Sequence, residues 1–532
     1  MSVFDSNSDV SRRAVTKGAL WSVPVVSTAV SAPAYAASDD KCDVSTIQFV
    51  DDGDLPYIHG KGSSFPSDVT ITATQDGSPY SGSITLTIVG DATFGGVGSG
   101  QTAEVTMTNG TLTFGTATSS SGLVVTTNSV LTSTGITVDA SDDVKNFQIT
   151  VQLDDCDSVT DELVWFYPNL MTWGAGTNGG LGNGGTSNTN TPGAIGPYHV
   201  WSTVDARTHA FAVTAADDTT PNLLYAWGNN SYGKVGINST DAYQPTPVSL
   251  GLTVKDVSAG WGHSLAIGSG GRIWAWGLNS NGQLGNTSSG TNLLTPTRIP
   301  NTTSTWSTIS AGHTHSAATI GSVLYTWGND ATGQLGNGSS LDDNVLQPTS
   351  ISGTAPQLLA SRFFTLAVPS GGGLWGCGSN GLGQLGKGNT TTGSTSLTVS
   401  TVISNLSKVS SQYEWSVGLT KASTIYAWGN NNLGQIGNND SSGGTVPTPV
   451  DITPSGVQFS SASAGYAHGV ALSDEGWLYT WGYNDTGALG NGTNTNVLVP
   501  TKVGNLQWDT VEAATSFTIG VARTFVPEGY SY

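Results

Sequence analysis

Short apolar segments separated by glycine-rich turns run through most of this chain. Segments such as 272–276 (Arg-Ile-Trp-Ala-Trp) and 322–327 (Ser-Val-Leu-Tyr-Thr-Trp) are rich in β-branched and aromatic residues, which favour strands. Before residue 163 the pattern changes, and Thr or Ser alternates with Val, Ile or Leu, as at 68–74 and 83–89. Both patterns predict β-strands, so we expect an all-β protein with two kinds of domain.

Seven copies of one phrase, 49 to 54 residues apart, fill the larger part of the chain. The clearest copy, Trp274–Gly285, reads Trp-Ala-Trp-Gly-Leu-Asn-Ser-Asn-Gly-Gln-Leu-Gly. Such a repeat indicates one structural unit made many times. We expect its second aromatic residue to be wedged between neighbouring units, where burying a large ring is strongly stabilising. This core position holds Trp173, Trp227, Trp276, Trp327, Cys377, Trp428 and Trp481, and we interpret its cysteine as a small packing residue.

A second phrase, Ala-Gly-x-x-His-Ser-x-Ala-Leu, recurs on the same period. Its histidine position holds His209, His263, His315, Phe364, Trp415, His468 and Phe517. The two phrases interleave, but the first phrase starts alone at Trp173 and the second ends alone at Phe517. A closed ring explains these two orphan halves, because they can pair into one unit and leave no sheet edge free. The sequence therefore predicts a seven-bladed β-propeller, over residues 163–532, closed by pairing of its two ends.

The two phrases together resemble the repeats of the regulator-of-chromosome-condensation family, called RCC1-like repeats, over roughly residues 165 to 525. The resemblance implies a propeller fold. It leaves the activity open, because one fold serves many functions. The family includes eukaryotic exchange factors for a small nuclear GTPase. It also includes secreted bacterial proteins, among them an inhibitor of β-lactamases that binds its target through one propeller face.

The first 162 residues divide into an export signal and a second domain. Arg12 and Arg13 precede an apolar stretch that ends in Ala34-Tyr35-Ala36, which resembles a twin-arginine signal peptide over residues 1–36. We therefore expect a bacterial protein that is secreted or held at the cell surface, without a membrane span in its mature form. Residues 37–162 predict a β-sandwich, and the stretch 75–82 with the strand after it resembles immunoglobulin-like modules of bacterial adhesins.

The cysteines and acidic residues of this domain suggest one crosslink and one open alternative. Cys42 and Cys156 bracket the segment and could form a disulfide after export. The acidic residues near its end favour a solvated linker, with calcium binding as the alternative; they are Asp154, Asp155, Asp157, Asp161 and Glu162. We expect no cofactor and no zinc site.

Charge narrows the range of partners. The chain has a net charge of −20, which repels phosphate backbones and anionic lipid. Nucleic acid is therefore not an expected partner, and we expect a monomer that binds a protein or a glycan.

The functional prediction rests on the two variable residues that precede the histidine position. Ring closure should gather these seven pairs around one mouth of the central channel. Aromatic and arginine side chains are the usual anchors of interfaces. The predicted partner-binding residues are Arg207, Trp261, His313, Arg362, Phe363, Tyr413, Glu414 and Tyr466, with Trp261 and Tyr466 as the first choices for exposed anchors. The alternative is that some of these rings fold inward and plug the channel.

These observations predict a non-enzymatic recognition protein, of which a secreted enzyme inhibitor is a special case. A polysaccharide-acting enzyme is an alternative, but such chemistry commonly needs paired carboxylates and the mouth offers only Glu414. A nucleotide-exchange factor rests on the family resemblance alone, and the export signal argues against it.

Overall fold

The structure is a computed structural model of the 532-residue chain. It describes residues 170–523 with their side chains, apart from 197–198, 200, 216–221, 301–304, 340–343 and 392, and before them the backbone of twelve strands between 42 and 165. The chain divides into two compact units, one that includes Trp21–Tyr167 and one that includes Pro168–Arg523. The predicted all-β class is confirmed, and the described helical segments are two single 3-10 turns, Thr177–Gly179 and Ser231–Gly233.

The described strands of the first unit form antiparallel sheets. They are β1 (Cys42–Val50), β2 (Asp68–Gln75), β3 (Ser78–Pro79), β4 (Gly82–Gly90), β5 (Ala92–Phe94), β6 (Thr102–Met107), β7 (Thr111–Thr116), β8 (Leu123–Thr127), β9 (Val130–Leu131), β10 (Ile136–Val138), β11 (Phe147–Leu153) and β12 (Thr160–Trp165). One sheet has the order β1-β2-β7-β8-β9 with β3 on β2, a second has the order β12-β11-β4-β6, and β10 pairs with β5. The immunoglobulin-like class stays a prediction.

Three further predictions for this region lie outside what the structure describes. The signal peptide at 1–36 and Cys156 are not among the described residues, so the Cys42–Cys156 disulfide stays a prediction. The side chains of the acidic residues near 154–162 are likewise not described. Across the described residues, no helix has the length and hydropathy needed to span a membrane.

The second unit consists of four-stranded antiparallel groups. Its strands are β13 (Leu170–Gly174), β14 (Thr189–Ala194), β15 (Trp201–Ala206), β16 (His209–Thr214), β17 (Leu223–Asn229), β18 (Tyr243–Ala259), β19 (His263–Gly268), β20 (Ile273–Gly277), β21 (Leu293–Arg298), β22 (Thr308–Ala311), β23 (His315–Ile320), β24 (Val323–Gly328), β25 (Val345–Thr354), β26 (Gln357–Ala360), β27 (Phe364–Val368), β28 (Leu374–Gly378), β29 (Ser394–Ser400), β30 (Leu406–Ser411), β31 (Trp415–Thr420), β32 (Ile425–Asn430), β33 (Thr445–Asp451), β34 (Phe459–Ala464), β35 (His468–Ser473), β36 (Trp477–Gly482), β37 (Val497–Ala513) and β38 (Phe517–Ala522).

Two long strands each serve two neighbouring groups. Strand β18 pairs with β17 through its first half and with β19 through its second half, and β37 does the same with β36 and β38. The described strands from β13 to β38 therefore make seven four-stranded groups, three as separate sheets and four in two joined sheets.

The two ends of this unit pair with each other. Strand β13 runs antiparallel to β38, with Leu170 opposite Val521 and Gly174 opposite Phe517. One group therefore takes β37 and β38 from the end of the chain and β13 and β14 from its beginning. The predicted closure by the two orphan half-units is confirmed.

The repeated tryptophan forms a hydrogen bond to the preceding group at five of its six occurrences, Trp173 being the exception. Trp276 is fully buried, and its indole N–H donates to the carbonyl oxygen of Lys234 at 2.8 Å, while Trp327 donates to Gln283 at 2.9 Å. Cys377 takes the same place, with its Sγ 3.6 Å from the carbonyl oxygen of Gln334. A Cβ on Gly285 would lie 2.9 Å from Trp327 Nε1. The last glycine of the phrase therefore makes room for the tryptophan of the next group.

The repeated histidine makes a second connection between groups. His263 Nε2 lies 2.8 Å from Ser316 Oγ, and that hydroxyl donates to the carbonyl oxygen of Gln283 at 2.9 Å. Because the hydroxyl proton is used on the carbonyl, the serine oxygen accepts from Nε2–H. Burial lowers the pKa of His263 to about 3, so the ring is neutral at physiological pH. The same arrangement joins His315 to Thr365 at 2.9 Å. Each group is thus held to the next by buried bonds that fix the turns beside them.

Candidate binding site

The candidate site is built on the turns that connect the first and second strands of the groups. In one of them β18 ends at Ala259 and β19 begins at His263, so the turn is only three residues long. The backbone N–H of Trp261 donates to the carbonyl oxygen of Gly312 in the next turn at 3.1 Å, and His313 donates to Ser361 at 3.0 Å. Neighbouring turns are therefore joined directly through their backbones.

The variable side chains of five consecutive turns form one continuous arc. Trp261 stacks on His313 with ring centroids 4.4 Å apart, and His313 lies 5.7 Å from Phe363. At the other end Tyr413 packs on Tyr466 at 4.3 Å. We call this set the collar, and it consists of Trp261, His313, Arg362, Phe363, Tyr413 and Tyr466.

Arg362 joins the two halves of the collar. Its guanidinium carbon lies 4.7 Å from the ring centroid of Phe363 and 3.9 Å from that of Tyr413. It also forms an ion pair with Glu414. Cation–π contacts of this kind hold the arginine flat against the rings. Glu414 therefore contacts Arg362 and neutralises its positive charge.

Two collar residues present their rings to solvent. Trp261 is 37 % exposed and Tyr466 is 38 % exposed, which is unusual for side chains of this size. These are the two residues that the sequence analysis names as anchors. The other rings of the collar are partly buried by their neighbours.

A cavity of about 300 Å³ opens inside the collar. Its lining includes six of the eight predicted residues: Arg207, Trp261, His313, Arg362, Tyr413 and Tyr466. Gln412 and Thr515 complete the lining. Phe363 and Glu414 stand behind it, against His313 and Arg362 respectively.

Arg207 lies at the floor of this cavity and not at the mouth. Its side chain is 5 % exposed, and Nη2 donates to the backbone carbonyl oxygen of Gln412 at 2.9 Å. The side-chain amide of Gln412 returns two bonds, to Ala206 O at 3.0 Å and to Ala513 O at 3.1 Å. Two of these bonds join turns about two hundred residues apart and the third joins turns about one hundred residues apart, so Arg207 and Gln412 link three turns below the collar. Trp261 and Tyr466 stay exposed, and the alternative that some rings fold inward and plug the channel stays untested.

Gln412 is a lining residue that the sequence reasoning missed. It occupies the glycine position of the second phrase, where other copies have Gly260, Gly312 and Gly465. The remaining copies have the small residues Ala206, Ser361 and Ala514 there. A large polar residue at a position that otherwise holds glycine, alanine or serine was the signal that could have identified it.

Lys234 is a second departure from the repeat that reaches the collar. It stands where four of the other copies have glutamine, and its Nζ donates to Thr208 Oγ1 at 2.8 Å and to the carbonyl oxygen of Trp261 at 3.0 Å. Burial lowers the pKa of this amine to about 7. The lysine thus holds the backbone of Trp261, one of the two exposed rings of the collar.

Burial and positive charge dominate the electrostatics of the site. Burial, and then the charges of Arg207, Arg362 and Lys234, lower the pKa of His313 to about 4, so its ring is neutral at physiological pH. Burial lowers the pKa of Arg207 to about 10, which leaves the guanidinium charged. Positive charge therefore lines this cavity, at Arg207 and Arg362, although the chain as a whole is acidic.

The ring of antiparallel groups closed by its own ends defines this unit as a β-propeller. Family profiles described as "Regulator of chromosome condensation (RCC1) repeat" match residues 222–267, 270–319, 323–364, 423–472 and 475–521, and a second RCC1 profile matches 254–283. The chain therefore carries RCC1 repeats, and the resemblance drawn from the two phrases is confirmed. These profiles do not match residues 365–422. That segment includes Cys377 in place of the repeated tryptophan and Trp415 in place of the repeated histidine.

Known proteins support the same assignment. The chain is 28 % identical to the ultraviolet-B receptor UVR8 of Arabidopsis thaliana over 343 residues, which are 63 % of this chain and 65 % of that receptor. It is 30 % identical to the E3 ubiquitin-protein ligase HERC2 of Homo sapiens over 324 residues, which are 56 % of this chain and 6 % of the ligase. The chain thus spans less than two thirds of each of these relatives.

Solved structures show the same fold. Human WBSCR16 has a TM-score of 0.60 at 21 % identity, covering 67 % of this chain and 99 % of that one. Prp20p of Saccharomyces cerevisiae has a TM-score of 0.59 at 20 % identity, covering 68 % and 92 %.

Proposed function

We propose that this protein is an exported, non-enzymatic recognition protein that binds another protein through the collar. The observation that carries the proposal is the continuous arc of aromatic and arginine side chains at one mouth of the ring, with Trp261 and Tyr466 exposed at 37 % and 38 %. Aromatic and arginine residues contribute most of the binding energy in many protein interfaces.

The collar is ordered before any partner arrives. Backbone bonds join the three turns that carry Trp261, His313 and Arg362, and Lys234 donates to the carbonyl oxygen of Trp261. Arg362 is held between two rings and an acid. Because these side chains already occupy one arrangement, little conformational entropy is lost when they bind. A preformed surface of this kind suits tight recognition, including the inhibition of a partner enzyme by covering its active site.

Charge and relatives support a protein partner over nucleic acid. The net charge of −20 opposes binding to phosphate backbones. RCC1-like propellers act as regulators or binders of other proteins, and the structure of Prp20p is described together with its binding to Gsp1p and histones. Export, and with it a role outside the cell, rests on the twin-arginine pattern at Arg12 and Arg13.

Affinity capture with paired variants tests the proposal. The full-length protein is immobilised and exposed to secreted proteins of neighbouring cells, and bound proteins are identified by mass spectrometry. We expect one partner to be captured by the wild type and lost by the Trp261→Ala/Tyr466→Ala variant. Tyr243→Ala is the matched control, because Tyr243 is an equally exposed aromatic residue at the start of β18 and outside the collar. Capture that survives the double variant would move the binding surface elsewhere on the ring, and capture of a polysaccharide instead would favour a glycan ligand.

The export part has its own test. An Arg12→Lys/Arg13→Lys variant should remain in the cytoplasm of the producing cell, as measured by fractionation. Normal release of that variant would remove the twin-arginine interpretation and leave the collar proposal intact.

A further inference from the structure

Several polar atoms without a hydrogen-bond partner surround the cavity inside the collar. They are Nε of Arg362, Nδ1 of His313 and Oε1 of Gln412, all of them buried. Buried polar groups are normally paired, and an unpaired one costs about 1–3 kcal/mol. One unpaired atom is common in a protein, but three around a single cavity point to a ligand that completes them.

The charge of Arg207 is also incompletely matched. Among the described residues, no carboxylate lies within ion-pairing distance of its guanidinium, which makes one hydrogen bond, to Gln412 O. Asp205 interacts with Arg207 electrostatically without a hydrogen bond to it, and its carboxylate accepts the backbone N–H of Ala259 at 2.6 Å. A buried cation without a direct counterion is costly, and an anion from outside would compensate it.

The walls and size of the cavity restrict that anion further. Trp261 and His313 form one wall, and Tyr413 with Tyr466 forms the other, so the entrance is apolar while the floor is cationic. A volume of about 300 Å³ is at the lower end for ligand sites, which suits one side chain better than an extended peptide.

We propose that this cavity receives a single acidic side chain, an aspartate or glutamate on a projecting loop of the partner protein. Its carboxylate binds Arg207 and Arg362, and its aliphatic part packs between the aromatic walls. The donor that Gln412 Oε1 lacks is supplied by a backbone N–H of the same loop. Glu414 stays on Nη1 of Arg362, so the partner's carboxylate binds the unpaired Nε, and the negative charge of Glu414 weakens that binding. This inference rests on the proposed function of the collar and names the chemistry of its partner.

Blocked amino acids provide the probes for the test. The full-length protein is labelled with 5-fluorotryptophan, and the Trp261 resonance is assigned by its absence in Trp261→Phe. We expect N-acetyl-L-glutamate amide to shift this resonance along a saturable curve, whereas its neutral isostere N-acetyl-L-glutamine amide leaves it in place. Equal responses to both probes would overturn the inference. A tighter response to D-glucuronate than to the glutamate probe would also overturn it, because the site would then suit an acidic sugar.

Two variants with opposite expected effects make the result independent of folding defects. Glu414→Gln removes the negative charge beside Arg362 and should tighten binding of the glutamate probe about threefold or more, which no loss of structure could imitate. Arg207→Gln should weaken it about tenfold. Arg298→Gln, an exposed arginine at the end of β21, should change nothing. Unchanged or weaker binding by Glu414→Gln would count against the inference.

The two proposals fail separately. Loss of the captured partner in Trp261→Ala/Tyr466→Ala, together with equal responses to the glutamate and glutamine probes, would keep the collar as the binding surface and reject the acidic anchor.

Discussion

Neighbouring positions of one turn follow opposite rules in this propeller. At the histidine position, His263 and His315 are buried and make the same bond to the next group. Two residues earlier, Trp261 and His313 differ from each other and face the mouth. The residue at the histidine position must fit the packing between groups. The residue two positions earlier faces the mouth, so this packing does not restrict it. The comparison teaches that buried repeat positions hold neighbouring groups together, and that the variable positions beside them form the collar.

The largest expected effect lies at a constant core position. Trp276→Ala removes a fully buried ring and its bond to Lys234 O, so we expect the free energy of unfolding to fall by about 3–5 kcal/mol. Urea denaturation of the full chain, followed by circular dichroism, measures this loss. The variant that remains folded should bind the partner normally, because Trp276 does not line the cavity. If Trp276→Ala weakened partner binding and left the free energy of unfolding unchanged, the repeated tryptophan would serve binding and not stability.

The corresponding change at a variable position should show the opposite profile. Trp261→Ala removes an exposed anchor and should weaken partner binding by about 2 kcal/mol or more. Stability should fall by less than about 1 kcal/mol, since the ring is only partly buried. Calorimetric binding and thermal unfolding of the same preparation check both values. A destabilisation as large as that of Trp276→Ala would show that the collar is part of the core.

Lys234 is an exception within the first repeated phrase, and it gives a further test of the comparison between repeated and variable positions. Gln283 accepts the backbone N–H of Asn281 at 2.8 Å, and Lys234 replaces this glutamine in its own repeat. Burial lowers the pKa of Lys234 in the folded protein to about 7, against 10.5 in the unfolded chain. Between these two pH values the unfolded chain binds the proton more readily than the folded protein. Stability is therefore lost as the pH falls from 10.5 towards 7.

Lys234→Gln should therefore stabilise the protein by about 1 kcal/mol or more at pH 7, with a smaller gain at pH 10. Partner binding should weaken severalfold, because the carbonyl of Trp261 loses its support. Thermal unfolding at the two pH values measures the first effect and calorimetry the second. If the variant is less stable at pH 7, the hydrogen bonds of the Lys234 amine stabilise the fold by more than its burial costs, and the lysine has a structural role.

The smallest expected effect concerns Cys377. Burial is the main cause that raises the pKa of this thiol to about 12, so it should not react with a thiol reagent such as dithionitrobenzoate in the folded protein. Full reaction should occur in guanidinium chloride. Rapid reaction of the folded protein would mean that Cys377 is an accessible, reactive thiol and not a buried packing residue.

Sequence reasoning reached the ring and its collar because both are periodic. A fixed spacing placed Trp276 in the core and Trp261 beside it at the mouth, and the two orphan phrases predicted the pairing of β13 with β38. Ring contacts between Trp261 and His313 follow from that geometry.

The floor of the site could not be derived in the same way. The contact between Arg207 and Gln412 joins residues 205 positions apart, and its formation depends on how far each side chain reaches across the channel. The pairing of Arg362 with Glu414 likewise depends on side-chain rotamers, which no repeat pattern encodes. Periodicity thus predicts where a turn lies, and individual side-chain geometry decides what the turn can bind.

Closure of the ring by β13 and β38 has a consequence for biosynthesis. On the ribosome, Leu170–Gly174 emerges several hundred residues before Phe517–Ala522, its hydrogen-bonding neighbour. During that interval the nascent chain exposes an unpaired strand, and the group that joins the two strands can form only after Phe517–Ala522 has been synthesised. Translation that stops before Phe517 would therefore release a chain with two unpaired sheet edges, which is a substrate for chaperones and proteases.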